Sequence, residues 1–466
     1  MNVDFSKLDK AFHPRTIVVV GDKGDLRWVR CQRDFKGKLY SVQVNPETIK
    51  RIEALGVKNY ASLLDVPGPI DLVIVAVARA IAPKILDDCI ARKVSAVHFF
   101  TSGFAETGTA EGINEEKLMA EKAKQANLLL IGPNCVGIFN PGEGIRQGVD
   151  QYTGSGGSVG FISQSGDIAQ VFSIKAHLEG VDMAKSVSFG NGIVLESTDF
   201  LEYFAQDPEI QAIGMYMEGV KDGPRFLRVL KEVTRKKPVI IWKGGRTDEG
   251  NRAVASHTGS LALSKNVWDA AVKQCGAINA ATEEELIDTL KAVIFLPPVR
   301  GNRVGIVGGS GGQSVVIADI FAETGLTVPV LTDESYRQFA SFFKVVGASY
   351  RNPIDQGGTN KDELTRIIDI LERDANVDNV VVMFSTRNLD AQQIDELIQS
   401  LTELKARTAK PLLATLEFYF SPQAVEKIST ISRRLQAVGI PAYLGYERGA
   451  RALRNALRIS DSLKAR

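Results

Sequence analysis

The chain has 466 residues, enough for two to four domains. Its 56 basic residues balance 55 acids, which argues against nucleic acid as an obligatory partner; the 44% hydrophobic and 24% charged fractions are those of a soluble globular protein. No apolar run reaches the ~18 residues that span a bilayer, and Met1–Lys7 has no signal-peptide core, so a cytoplasmic protein is expected. Cys31, Cys89, Cys135 and Cys275 are scattered without a Cys-x-x-Cys pair, and no His/Asp/Glu spacing suggests a metal site.

The first segment alternates strands and helices. Thr16–Val20 is a continuous β-branched run of the kind buried on both faces, and it ends at Gly21. Further strands are predicted at 39–44, 71–77, 96–101 and 128–131, with helices between them such as 82–92 and 115–125. This order predicts a parallel sheet with right-handed crossovers, whose ligands bind beyond the strand C-termini. Four loops fall at those ends: Gly21-Asp22-Lys23-Gly24, Val44-Asn45-Pro46, Thr101-Ser102-Gly103-Phe104 and Gly132-Pro133-Asn134-Cys135-Val136-Gly137. They fit a nucleotide-like ligand. The first is not Gly-x-Gly-x-x-Gly and no Walker A sequence occurs, so a dehydrogenase has little support. Ordinary turn chemistry explains about half of the glycines.

Gly154-Ser155-Gly156-Gly157 marks a boundary, and a second α/β segment starts at Ser158. Ser163-Gln164-Ser165-Gly166 follows its first strand and offers hydroxyls and amides to an anion ahead of a helix. Asp167 either alters which anionic ligand the loop accepts or simply complements the helix dipole, and we favour the second. Strands are predicted at 184–188, 213–217 and 238–242, with a turn at Gly190-Asn191-Gly192. Glu218 ends the Met215–Met217 strand, where it either caps a helix or orients a histidine. The loop from Lys243-Gly244-Gly245-Arg246 runs to Ser256-His257-Thr258-Gly259-Ser260, with a helix expected from Leu261. An imidazole beside a helix N-terminus can carry a phosphoryl group. On spacing alone, a surface loop with a chance histidine stays open. His13, His98 and His177 are read as structural.

Pro297–Asn302 is the next boundary. A third α/β segment opens with Arg303–Val307 and the glycine loop Gly308–Gly312, followed by a helix over 314–324 and strands at 380–384, 411–415 and 442–444. The glycine loop either faces an anion or lets two domains approach closely.

Ser-His-Thr-Gly-Ser-Leu-Ala at 256–262, preceded by Lys-Gly-Gly-Arg at 243–246, resembles the phosphohistidine loop of nucleoside-diphosphate-forming acyl-CoA synthetases. These are relatives of succinyl-CoA synthetase, and the pattern is that of the α subunit of ADP-forming acetyl-CoA synthetase. Ser-Gly-Phe-Ala-Glu-Thr-Gly at 102–108, Gly-Pro-Asn-Cys at 132–135, Ser-Gln-Ser-Gly at 163–166 and Glu-Gly-Val-Lys-Asp-Gly at 218–223 also match, in the family's order. Asn352–Asp355 and Tyr446–Arg448 fit its third domain. The first loop departs: the family has Gly-Ala-Ser and then Gly-Lys, whereas Gly21–Trp28 is shortened, leaving Lys23 and Arg27 as the cations for CoA phosphates.

The resemblance implies an α/β chain of three consecutive domains: a Rossmann-like CoA-binding domain at 1–150, a flavodoxin-like domain with the phosphohistidine loop at 151–298, and a second flavodoxin-like domain at 299–466. With the strand-end loops, it points to CoA contacts at Gly21, Lys23, Asn45, Pro46, Thr101, Ser102, Gly103, Asn134 and Cys135. Phosphate and substrate contacts are expected at Ser163, Gln164, Ser165, Gly166, Asn191, Ser256, Thr258, Gly259 and Ser260. His257 would carry the phosphoryl group and Glu218 would steady its ring. ATP or ADP and Mg2+ are expected on a separate ATP-grasp β subunit, in a hetero-oligomer such as α2β2. The rivals are a CoA- or acyl-CoA-binding regulatory protein and an acyl or carbamoyl transferase on the same scaffold.

Overall fold

The computed structural model describes residues 3–258, 265–309, 311–343, 349–355, 361–384, 391–417 and 422–464; the side chains of 255–258, 361–362 and 422–425 lie outside the description. Two compact units result, Met1–Glu283 and Glu284–Arg466. Among the described residues, no helix is long and apolar enough to cross a membrane.

The first unit holds two sheets. In the first, β1 (Thr16–Val20), β2 (Lys38–Val42), β3 (Lys58–Tyr60), β4 (Leu72–Val75), β5 (Ala96–Phe99) and β6 (Leu129–Ile131) lie in the order β3-β2-β1-β4-β5-β6. Every pairing is parallel. β1, β4 and β5 are buried along their whole length, β1 and β4 by their apolar runs and β5 with His98 buried among Ala96, Val97 and Phe99. The strand order reverses between β1 and β4, which opens a crevice at their carboxyl ends.

The second sheet contains β7 (Gly137–Phe139), β8 (Val159–Ser163), β9 (Met183–Ser188), β10 (Ala212–Met217), β11 (Val239–Lys243) and β12 (Ile278–Ala280), in the order β12-β11-β10-β8-β9-β7. β8 to β12 are parallel, in the flavodoxin-like arrangement, and their order reverses between β8 and β10. β7 departs from the parallel expectation. It runs antiparallel to β9, pairing Gly137 with Ser188 and Phe139 with Ser186. The chain thus enters the second sheet immediately after the Gly132–Val136 loop. One apolar cluster joins the two sheets, and in it Phe12 stacks on Tyr203 at 5.3 Å and meets Phe204 edge-on at 5.6 Å.

The second unit carries a parallel sheet of β13 (Val304–Val307), β14 (Asn379–Phe384), β15 (Leu412–Leu416) and β16 (Ala442–Leu444), in that order. Arg448 forks onto Asp288 at 2.8 and 2.7 Å. A Cβ at Gly308 would stand 2.7 Å from the Met383 carbonyl oxygen, so the glycine there answers to a close approach of β13 and β14.

Candidate active site

Both reversals of strand order in the first unit carry cavities. At the β1/β4 crevice a cavity of about 350 Å3 is lined by Asp22, Lys23, Asp25, Arg27 and Trp28 after β1, Ala76–Arg79 after β4 and Phe100–Ser102 after β5. A second, of about 310 Å3, lies between the two sheets. Its walls are Asn134, Cys135 and Val136, then Gln164–Asp167 after β8, with Gln170, Gly190 and Asn191. Arg27 and Phe100 line both cavities. Their volumes lie in the range of small-molecule sites. A larger hollow of about 560 Å3 lies away from these strand ends, where Arg225 is ion-paired to Asp199 and Glu202.

The loop after β1 folds around Asp22, which is 2% exposed. Its carboxylate accepts the N–H of Val29 at 2.8 Å and of Lys23 at 3.1 Å, and burial raises its pKa against these bonds. The acid therefore occupies amides that an empty cradle would offer to an anion. Gly21 sits at φ +79°, and a Cβ there would stand 2.3 Å from Val77. Its role is steric. Lys23 is exposed on the cavity wall.

Asn45 and Pro46 lie outside the lining of either cavity. Asn45 caps the helix Pro46–Glu53 by accepting the Thr48 N–H at 3.0 Å. Thr101 donates to the Val77 carbonyl at 2.9 Å, and Ser102 lines the first cavity. Gly103 takes φ +104°; its N–H donates to Glu106 at 2.6 Å and its carbonyl accepts from Arg79 at 2.8 Å. Cys135 is buried, and desolvation pushes its thiol well above the usual range, so it packs as a small apolar group. Behind it His98 is bonded to the Cys135 carbonyl at 2.9 Å; burial lowers its pKa to about 4. The imidazole is neutral and structural.

In the second cavity Ser165 caps the helix Gly166–Leu178, accepting the Ile168 N–H at 3.4 Å. Ser163 is buried and donates to the Ser165 carbonyl at 2.6 Å, so it shapes the turn without facing the cavity. Gln164 reaches across to β10, where its Oε1 accepts the N–H groups of Glu218 and Gly219 at 2.9 and 3.0 Å. Glu218 is buried and accepts the Tyr216 hydroxyl at 3.2 Å. Lys243 donates to the Glu218 carbonyl at 2.8 Å and to that of Gly244; burial lowers its pKa, partly offset by Glu218. A Cβ at Gly244 would lie 2.5 Å from the Tyr216 hydroxyl, which accounts for the glycine after β11.

Asn191 ties the two sheets together. Its Nδ2 donates to Glu106 and Glu116, each at 2.7 Å, while Lys221 donates to the carbonyls of Asn191 and Gly192 at 2.7 and 3.0 Å. Burial lowers the Lys221 pKa against the pull of Glu116 and Glu196. Motif reading did not assign Glu106, Glu116 or Lys221, although Glu106 and Lys221 fall inside quoted motifs; Glu116 lies in the predicted 115–125 helix. Arg79, Phe100 and Gln170 carried no sequence signal; only the topology brings them to the cavities.

The histidine segment differs from its expected setting. Residues Asp248–Thr258 form a helix, so Ser256, His257 and Thr258 lie in its last turn and not in the expected loop; the helix start expected at Leu261 lies outside the described residues, and the next described helix is Lys265–Cys275. Thr247 accepts the Gly250 N–H at 3.1 Å, and Asp248 and Glu249 supply first-turn acids, a start signal that outweighs Gly250. The side chains of Ser256, His257 and Thr258, and all of Gly259 and Ser260, lie outside the described residues. Among the described residues, no group of three His, Cys, Asp or Glu side chains forms a metal site.

A Rossmann-type crevice beside a pocket at a flavodoxin-type strand reversal fits the scaffold of a CoA-dependent ligase. Residues 15–141 match the model of a CoA binding domain, and 156–293 that of the succinyl-CoA ligase like flavodoxin domain. The chain is 35% identical over 449 residues to the α subunit of ADP-forming acetate–CoA ligase II of Pyrococcus furiosus, covering 94% of each. It is 34% identical over 384 residues to the ADP-forming acetate–CoA ligase I of Archaeoglobus fulgidus, spanning 81% of this chain and 55% of that longer one. The structure of acetyl-coenzyme A synthetase 1 of Candidatus Korarchaeum cryptofilum, in complex with phosphate and ADP, superposes with TM-score 0.86 at 27% identity, covering 98% of this chain and 97% of that one. The chain belongs to the family of ADP-forming acyl-CoA ligase α subunits.

Proposed function

We propose that the chain is the acyl-transferring half of an ADP-forming acyl-CoA ligase, interconverting acyl-CoA, ADP and phosphate with free acid, CoA and ATP. The observation that carries this is the pair of cavities joined at Arg27 and Phe100, one at a CoA-domain crevice and one at Gln164–Gly166. The thioester would enter from the first and phosphate would wait in the second. A phosphate oxygen attacks the thioester carbonyl, the C–S bond breaks, and the phosphate's proton passes to the leaving thiolate. His257 then attacks phosphorus and the carboxylate departs. Transfer from the phosphohistidine to ADP completes the cycle, with Glu218 steadying the ring.

The nucleotide and Mg2+ would sit on a separate ATP-grasp β subunit, in a hetero-oligomer such as α2β2; the naming of relatives as α subunits supports a partner. A cytoplasmic setting fits these substrates. The test is to incubate chain and β subunit with γ-labelled ATP and Mg2+. Acid-labile, base-stable label that disappears in His257→Ala is expected. CoA binding without label, despite an active β subunit, would favour a regulatory binder.

A further inference from the structure

Arg27 stands on the wall shared by the two cavities. Its Nη2 donates to the Gln147 carbonyl at 3.2 Å and to Gln170 Oε1 at 3.1 Å. Its guanidinium carbon lies 5.3 Å from the Trp28 ring and 5.5 Å from the Phe100 ring. These contacts fix the group's direction without neutralising it. Arg79, in the same first cavity, is paired to Glu111 at 2.5 Å and to Glu115 at 3.1 Å. Among the described residues no carboxylate lies within ion-pair distance of Arg27. A half-buried, uncompensated guanidinium is costly unless an anion joins it.

The loop around Asp22 sharpens the point. Because that carboxylate takes the Val29 and Lys23 amides, an anion reaching this end of the sheet must be met by side chains. Arg27 is the cation that faces both the first cavity and the pocket at the Ser165–Gly166 helix start. We propose that Arg27 holds the phosphate that attacks the thioester, its fork gripping two phosphate oxygens while the carbonyl carbon arrives from the CoA side. This rests on the reaction proposed above. The new O–C bond forms as the C–S bond breaks, and the proton of HPO4 2− ends on the CoA sulfur. Arg27 gains most as charge gathers between the two cavities.

The experiment uses the full chain in two measurements. In the first, inorganic phosphate is titrated into wild type, Arg27→Gln and Arg27→Lys by calorimetry. In the second, the same chains are paired with the β subunit, and the phosphate KM and the labelling of His257 from ATP are recorded. Arg27→Gln is expected to weaken phosphate binding and raise the phosphate KM at least about tenfold while ATP still labels the chain, with Arg27→Lys in between. Equal phosphate affinity and KM in Arg27→Gln would overturn the assignment even if labelling proceeds. Absence of label in wild type, with phosphate binding still dependent on Arg27, would instead overturn the reaction and keep the anion site. Arg27→Lys retains the cation and serves if the glutamine variant does not fold.

Discussion

The side-chain oxygen of Gln164 accepts the N–H of Glu218 at 2.9 Å and so ties the loop after β8 to the loop after β10. The same oxygen takes the Gly219 N–H, so one side chain satisfies two buried amides at the reversal of strand order. Gln164→Leu should leave both unpaired, at about 1–3 kcal/mol each before relaxation. The expected result is a lower thermal midpoint together with slower labelling of His257. Gln164→Glu, which keeps an acceptor, should recover much of the stability. Equal midpoints for Leu and wild type would show that the bridge is dispensable.

Gly244→Ala should act on the same carboxylate from the other side. The added methyl meets the Tyr216 hydroxyl at 2.5 Å and Glu218 Cγ at 3.4 Å. Glu218 must shift, and the label carried by His257 is expected to fall at least about tenfold while CoA affinity is unchanged. Labelling kinetics beside a CoA titration check this.

His98 predicts an acid-sensitive first unit. Its folded pKa of about 4 lies below the ordinary 6.5, so the unfolded chain binds the extra proton between those values. Stability from this group is complete above pH 6.5 and is lost as pH falls towards 4, by up to roughly 3 kcal/mol. His98→Gln should flatten that limb. Urea midpoints at pH 7 and pH 5 measure it, and an unchanged pH difference would refute it.

Asn191→Ala should release the Gly103–Ala105 turn from β9's loop, since Glu106 and Glu116 hold both Asn191 and the amides of Gly103, Phe104 and Ala105. Faster amide hydrogen exchange at 103–106 and a several-fold weaker CoA affinity are expected. Exchange rates equal to wild type would place the stiffness of the turn elsewhere.

Asp167 lies in the first turn of the Gly166–Leu178 helix and is exposed on the second cavity's wall, a position from which either of its two expected roles can be tested. Asp167→Ala should cost a few tenths of a kcal/mol to about 1 kcal/mol in stability. It should also raise kcat/KM for a dicarboxylic acyl-CoA relative to acetyl-CoA, because a repelling charge is gone. An unchanged ratio would leave only the dipole role.

Much of this was legible in the residues. β1 begins and ends where its Thr16–Val20 run does, and β16 occupies 442–444 as expected. Long apolar runs report burial on two faces, which is what central strands need. β3 and β12 carry a polar residue among their three (Lys58-Asn59-Tyr60 and Ile278-Asn279-Ala280) and β7 begins with Gly137, so none of them shows the short apolar run that marks β6 and β16. The helix 248–258 was hidden because Gly244, Gly245 and Gly250 read as loop, while the Thr247 cap speaks only through geometry. Among the site residues, Gln164 and Asn191 were anticipated as ligand contacts, yet their amides are engaged within the protein. Gly21–Gly24 was read as one of four loops that fit a nucleotide-like ligand, and only the folded loop reveals that the Asp22 carboxylate takes its amides.

The antiparallel strand β7 has a consequence for how such a molecule can be divided. Cutting the gene near the glycine run at 154–157 would take Gly137–Phe139 away from Ser186–Ser188 and bare an unpaired edge on β9. A crossover that swaps the N-terminal half for a cousin's would have to carry this stitch with it, so the two halves are expected to have been inherited, and to be engineered, as a single piece.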